Sequence, residues 1–93
     1  MEEKAMAHVI ISGKVQGVCF RMETKEAAES YGVTGWVRNR SDGSVEAVFE
    51  GEKASVDQAI NWCWRGSPFS RVDDVTVEWG VPTEDFKTFN IRY

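Results

Sequence analysis

The spacing of apolar residues changes several times along these 93 residues, and the order of the patterns limits the folds open to the chain. Alternating apolar and polar residues predict strands, whereas apolar residues at i, i+3, i+4 and i+7 predict helices. Predicted strands cover residues 7–13, 33–40, 44–50, 71–80 and 86–93, and predicted helices cover 21–31 and 53–65. Gly51 is expected to break the third strand. The order β-α-β-β-α-β, with an extra edge strand at 86–93, predicts an α+β, ferredoxin-like sandwich: a mostly antiparallel sheet with two helices on one face.

The charge balance limits the partners of the protein. The formal net charge is −4, and this argues against nucleic acid or an anionic membrane as a partner, because both attract basic surfaces. A small anion remains compatible with this charge, because a local cluster can be basic within an acidic whole. The residues that could form such a cluster are Lys14, Arg21, Arg38 and Arg40.

The N-terminal segment and the cysteines indicate an ordinary intracellular domain. Residues 1–6 resemble a flexible tail, and residues 7–93 are expected to form a single domain. The N-terminal segment lacks the apolar stretch of a secretion signal, and no window is apolar enough to span a bilayer, so the cytoplasm is the expected location. Cys19 and Cys63 are then expected to be reduced thiols. Histidine and cysteine are too few, and wrongly spaced, for a metal site.

The stretch from Gly13 to Arg21, G-K-V-Q-G-V-C-F-R, connects the first predicted strand to the first predicted helix. A glycine-bearing loop at this place can turn several backbone N–H groups toward one point, and the helix N-terminus adds a partial positive charge. The planar fork of Arg21 suits two phosphate oxygens at once. We therefore hypothesise a phosphate-binding loop. A glycine turn followed by an ordinary surface arginine fits the same spacing equally well.

The predicted topology should bring Asn39 close to Arg21. The helix from Arg21 leads away from the loop, and the strand from Val33 to Asn39 runs back to the same level. Functional crevices in such units lie beyond the carboxyl ends of the strands. Asn39 could hold a water molecule beside a bound phosphate, or it could merely cap the approaching Asp-Gly turn.

At these residues the sequence resembles the acylphosphatases. The matching residues are Gly13, Val15-Gln16-Gly17-Val18, Phe20-Arg21, Gly35-Trp36-Val37-Arg38-Asn39, Gly43, Val45, Gly51, the run Arg71 to Val75, and Phe86, Phe89, Ile91 and Tyr93. Two ordered motifs at fixed spacing are far more specific than either alone. The sequence departs from the family's usual pattern at residues 66–69, outside the predicted site.

The resemblance implies hydrolysis of acyl phosphates to carboxylate and inorganic phosphate. It assigns phosphoryl binding to Arg21 and to the backbone amides of Gln16, Gly17, Val18, Cys19, Phe20 and Arg21, and it assigns orientation of the attacking water to Asn39. It also implies a small, cytosolic, monomeric enzyme without metal or other cofactor. Its partners would be the acyl phosphate substrate and inorganic phosphate, which is both product and competitive ligand.

Three alternatives remain to be compared with this interpretation. Cys19 could act as a nucleophile. A phosphate-binding loop built on a cysteine nucleophile would, however, need several residues between the cysteine and the arginine, and Arg21 follows Cys19 by only two positions. The domain could bind RNA, although its charge is unsuitable and its tryptophans are expected to pack inside. It could also sense an anion without turning it over. His8, the only histidine, is expected to be structural, which leaves no obvious general base.

Overall fold

The structure, a computed structural model, describes residues 3–93 and contains five strands and two helices in this part of the chain. In chain order the elements are β1 (Lys4–Lys14), α1 (Phe20–Tyr31), β2 (Thr34–Asn39), β3 (Val45–Glu52), α2 (Lys53–Arg65), β4 (Arg71–Gly80) and β5 (Phe89–Arg92). This order confirms the predicted fold class, and the bounds of α2 and β4 coincide with those expected from the sequence.

The strands form one sheet in the order β4-β1-β3-β2-β5. Every neighbouring pair is antiparallel except β2 and β5, which are parallel. β3 therefore lies between β1 and β2, which run in the same direction, and this is the split βαβ arrangement. The carboxyl ends of β1 and β2 consequently lie at the same end of the sheet.

The two helices pack on each other and on the sheet through apolar stripes. The buried residues of α1 are Phe20, Thr24 and Ala28, which recur every four residues. The buried stripe of α2 contains the predicted Val56, Ala59, Ile60 and Cys63, with Trp62 beside them. The rings of Phe20 and Trp62 pack with centroids 5.3 Å apart. The first residue of α1 therefore contacts α2 next to the loop between β1 and α1. Within residues 3–93, neither helix has the length and apolar run needed to cross a membrane.

The expectation for the N-terminus is wrong for residues 4–6. These residues belong to β1, where Lys4 pairs with Glu52 and Ala5 pairs with Gly51. The same pairing explains why Gly51 does not end β3, since a longer β1 offers β3 a longer partner. The part of the predicted tail that comprises residues 1 and 2 lies outside the described residues.

The last strand is shorter than expected and begins at Phe89 instead of residue 86. It adds to the edge of β2 in parallel, with Gly35 opposite Phe89 and Val37 opposite Ile91. Because β4 and β5 lie at opposite edges of the sheet, residues 81–88 must cross the sheet end to reach β2. The alternation seen in the sequence between residues 86 and 88 therefore belongs to a connection and not to a strand.

A buried glutamate holds this crossing connection. Glu50 in β3 is only 4% exposed. Its Oε2 accepts hydrogen bonds from Thr83 Oγ1 at 2.8 Å and Thr83 N at 3.3 Å, and its Oε1 accepts one from Glu84 N at 2.9 Å. A buried carboxylate is tolerated where donors surround it in this way. Nothing in the alternating pattern of β3 indicated this role for Glu50.

We expect Glu50→Ala to lower the free energy of unfolding by about 1.5–3 kcal/mol, the typical contribution of hydrogen bonds to a charged group. The donors of Thr83 and Glu84 would lose their common acceptor. Urea unfolding followed by tryptophan fluorescence measures the change. Glu78→Ala, an exposed glutamate of β4, is the matched control and should change stability far less. Equal effects of the two substitutions would show that Glu50 does not anchor the connection.

Candidate active site

A cleft lies beyond the carboxyl ends of β1 and β2, at the N-terminus of α1. It has a volume of about 370 Å³. The residues that line it are Val15, Gly17, Cys19, Phe20, Arg21, Met22, Asn39, Ile91 and Tyr93. Arg21 and Asn39, which are 18 positions apart in sequence, thus line one cleft, as the crossover geometry predicts.

The loop between β1 and α1 presents a continuous row of backbone donors. Gly17 has φ 75° and Cys19 has φ 60° with ψ 23°, so two residues of the loop adopt the left-handed region. A Cβ atom on Gly17 would meet no atom within 4 Å, which leaves the backbone there open to an approaching group. Among residues 3–93, no hydrogen-bond acceptor is found for the backbone N–H groups of residues 16–22; the first helical bond is donated by Glu23 N to Cys19 O. Such a row can surround an anion.

Three side-chain hydrogen bonds fix the loop from outside the cleft. Gln16 Nε2 donates to Arg40 O at 2.7 Å and to Ser44 O at 2.9 Å, and these carbonyls belong to the turn between β2 and β3. Ser67 Oγ donates to Val18 O at 2.8 Å from the segment after α2. Of the predicted phosphate-binding residues, Gln16 and Val18 do not line the cleft. Residues 66–69, expected to lie outside the site, contribute Ser67 to its support.

Arg21 projects into the cleft from the first turn of α1. In the part of the chain that the structure describes, no carboxylate lies within 4.0 Å of its guanidinium. The guanidinium carbon instead lies 5.0 Å from the centroid of the Tyr93 ring, in a cation–π contact. Arg21 therefore keeps its positive charge uncompensated at the helix N-terminus, where an anion would also meet the partial positive charge of the helix.

The side-chain oxygen of Asn39 has no hydrogen-bond partner within residues 3–93. This atom, Oδ1, is buried. The alternative role of Asn39 as a cap of the following turn is wrong, because Asp42 has that role: its Oδ1 accepts hydrogen bonds from Ser44 N at 3.0 Å and from Ser44 Oγ at 2.5 Å. An unpaired buried acceptor costs about 1–3 kcal/mol, and such atoms call for a functional explanation.

The predicted cluster of four basic residues does not form. Arg38 Nε donates to Glu46 Oε1 at 2.7 Å, and Arg40 pairs with Asp42 at 3.7 Å. Neither arginine lines the cleft, and Lys14 does not either. Alternation along β2 explains the failure for Arg38, since consecutive residues of a strand face opposite sides of the sheet and Asn39 takes the side of the cleft.

The other ionisable candidates lie away from the cleft or are inert. His8 Nε2 lies 2.5 Å from Glu46 Oε2. Burial alone would raise the pKa of Glu46, but hydrogen bonds from His8 and Arg38 lower it below its usual value. Burial raises the pKa of the Cys63 thiol to about 12, so it stays protonated.

Cys19 is an exposed free thiol at the cleft, and Cys63 is likewise free, in the core. Between residues 3 and 93, no three His, Cys, Asp or Glu side chains form a group that could hold a metal ion.

Sequence reasoning overlooked the apolar side of the cleft. Met22, Ile91 and Tyr93 line it together with the predicted residues. The alternation of Phe89, Ile91 and Tyr93 placed these three on one face, and this signal could have found two of the lining residues. Met22 gave no signal, because an apolar residue just inside a helix is usually assigned to the core.

Comparisons with known proteins agree with this geometry. The family model described as "Acylphosphatase" matches residues 7–91. A curated relative from Pelotomaculum thermopropionicum, named acylphosphatase, is 52% identical over 90 residues, covering 97% of this chain and 98% of the relative. One from Anaeromyxobacter sp., of the same name, is 50% identical over 93 residues and covers 100% of both chains.

A solved structure agrees as well. The crystal structure of acylphosphatase from Bacillus subtilis superposes with a TM-score of 0.92 at 36% identity, covering 96% of this chain and 99% of that one. Since the family model spans nearly the whole chain and full-length relatives are about half identical, the chain belongs to the acylphosphatase family.

Proposed function

We propose that this protein hydrolyses the carboxyl-phosphate bond of acyl phosphates, releasing a carboxylate and inorganic phosphate. Membership of the acylphosphatase family supports this reaction class. The observation that carries the proposal is that, within residues 3–93, the guanidinium of Arg21 has no carboxylate partner and the neighbouring backbone N–H groups have no acceptors. Both are donors arranged for one anion with several oxygens.

Phosphoryl binding is the first step of the proposed mechanism. The N–H groups of residues 16–21 would surround the phosphoryl oxygens, and the fork of Arg21 would hold two of them. Charge on these oxygens persists through phosphoryl transfer, so fixed donors stabilise the transition state without having to reorganise. Tyr93 supports the guanidinium from its face and leaves its N–H groups free to bind phosphate.

Water attack is the second step, and we assign its orientation to Asn39. The carboxamide lines the same cleft as Arg21 and has no competing hydrogen bond from its buried Oδ1. It can therefore hold a water molecule beside the phosphorus atom. Holding the two reactants in contact removes much of the entropic barrier of a bimolecular step.

The proton of the attacking water is proposed to pass to a phosphoryl oxygen. The water oxygen forms a bond to phosphorus, and the bond from phosphorus to the acyl oxygen breaks, with its electron pair leaving on the carboxylate. A carboxylate is a good leaving group and needs no acid to protonate it. His8, the one histidine, is bonded to Glu46 and does not line the cleft.

The same donors support a reaction without metal, because Arg21 and the backbone amides supply the charge stabilisation that a cation would otherwise provide. We further propose that the protein acts as a monomer in the cytoplasm, with inorganic phosphate as product and competitive ligand. Neither nucleic acid nor membrane is proposed as a partner, in keeping with the net charge of −4.

Purified protein should hydrolyse benzoyl phosphate, and excess chelator should leave the rate unchanged. Release of inorganic phosphate under steady-state conditions measures both. A phosphate monoester such as p-nitrophenyl phosphate should react far more slowly, since its leaving group is poorer. Binding of phosphate without turnover would contradict the enzyme and favour an anion sensor, and loss of activity to the chelator would contradict the metal-free mechanism.

Arg21→Ala should lower kcat/KM by on the order of a hundredfold or more and raise the inhibition constant of inorganic phosphate, because the site loses a preorganised charge donor. Arg21→Lys should recover only part of the activity, because a lysine lacks the planar fork. Arg65→Ala removes an exposed arginine that does not line the cleft and is the matched control. Wild-type kinetics in Arg21→Ala would place the phosphate elsewhere.

Asn39→Ala should lower kcat by roughly a hundredfold, as expected for loss of a group that positions a reactant, while the inhibition constant of inorganic phosphate stays nearly constant. Asn90→Ala, an exposed asparagine of β5, serves as control and should retain activity. If Asn39→Ala instead weakened phosphate binding as much as turnover, Asn39 would be a phosphate ligand and the division of roles would be wrong.

A further inference from the structure

We propose that Met22, Ile91 and Tyr93, here called the acyl wall, bind the acyl group of the substrate and select acyl phosphates whose acyl group is uncharged and apolar, aromatic ones above all. The proposal rests on the proposed function and names the substrate class of the same site. All three side chains line the cleft that contains Arg21 and Asn39.

The cleft is larger than a phosphoryl group. Its volume is about 370 Å³. A phosphoryl group fills roughly the space of two or three water molecules, or about 60–90 Å³ at ~30 Å³ for each water. Most of the cleft therefore remains for the part of the substrate that leaves as the carboxylate.

The chemistry of the remaining space is apolar. Among the side chains of the residues that line the cleft, that of Arg21 is the only one with a formal charge at neutral pH, and the phosphoryl group would bind it. A second negative charge on the acyl group would find no cation there, and a charged group loses hydration when it enters an apolar site. A flat apolar group would instead remove Met22, Ile91 and the Tyr93 ring from water.

Met22 and Tyr93 of the acyl wall are exposed to solvent and are not part of the hydrophobic core. Met22 is 58% exposed and Tyr93 is 98% exposed, although both line the cleft. Neither is buried as the core residues are, so truncation should affect ligand binding more than folding. Tyr93 also contacts the Arg21 guanidinium. The acyl wall therefore begins next to the group that holds the phosphoryl oxygens, where a covalently attached acyl group must lie.

Met22→Ala is the decisive variant, because it leaves in place the cation–π contact between Tyr93 and Arg21. It should raise KM for benzoyl phosphate by roughly fivefold, as expected for a lost apolar contact in an open pocket, while KM for acetyl phosphate changes by less than about twofold because a methyl group is too small to span the wall. The inhibition constant of inorganic phosphate should not change. Comparing variant with wild type for each substrate cancels the different intrinsic reactivities of the two mixed anhydrides.

Three further variants and a third substrate complete the test. Tyr93→Ala should raise KM for benzoyl phosphate, and Tyr93→Phe, which keeps the ring, should raise it less. Phe69→Ala, an apolar residue that is 81% exposed and does not line the cleft, is the control and should change neither KM. Succinyl phosphate, whose acyl group carries a carboxylate, should have a higher KM than benzoyl phosphate in the wild type.

The outcomes distinguish this inference from the function on which it rests. Equal changes in KM for benzoyl and acetyl phosphate in Met22→Ala, or an equal change in the inhibition constant of phosphate, would overturn the acyl wall and leave the hydrolase intact. A wild-type preference for succinyl phosphate would overturn it as well. Absence of turnover with every acyl phosphate would overturn the proposed function itself.

Discussion

The cleft depends on the hydrogen bonds that hold the loop between β1 and α1 from behind. Gln16 reaches two carbonyls of the β2–β3 turn, and Ser67 reaches the carbonyl of Val18 from the segment after α2. The loop is thus fixed through groups that do not line the cleft, and its N–H groups are left without protein acceptors. Backbone N–H groups without protein acceptors contribute no hydrogen bond that would hold the loop, so tertiary contacts must fix it. Gly17 and Cys19 in left-handed conformations are part of the same constraint, and Cys19 is a residue type that rarely adopts it.

The topology brings three separate elements to this loop. Because β1 and β2 are parallel with β3 between them, the carboxyl end of β2 places Asn39 at the same end of the sheet as Arg21. The parallel addition of β5 to β2 then brings Ile91 and Tyr93 to that end. Only a strand parallel to β2 can end there, and the long connection anchored by Glu50 allows β5 to run in that direction. The anchor at one end of the sheet therefore serves the cleft at the other.

The sequence was sufficient where local pattern and tertiary structure agree. The apolar stripe of α2 predicted its bounds, and the strand-helix-strand order predicted that Arg21 and Asn39 would meet. Prediction failed where a partner strand decided the outcome: Lys4 and Gly51 are in strands because they pair with Glu52 and Ala5. It failed also for groups whose partners are distant in sequence, such as Gln16 and Ser67. Single residues such as these follow no periodicity, so no pattern reveals which carbonyl they reach.

The distribution of charge explains how an acidic protein can offer an anion site. Across the described residues, Arg38, Arg40, Lys25, Lys53 and Arg71 each pair with a carboxylate, whereas Arg21, the basic residue that lines the cleft, does not. The site thus depends on one cation kept free of carboxylates, not on a cluster of them. Two groups that could accept a proton, His8 and Cys63, are likewise kept away from the cleft. His8 is hydrogen-bonded to Glu46, and Cys63 is buried with its pKa raised to about 12. A cleft so poor in bases suits a substrate with a good leaving group, for which the protein has to position the reactants and stabilise charge.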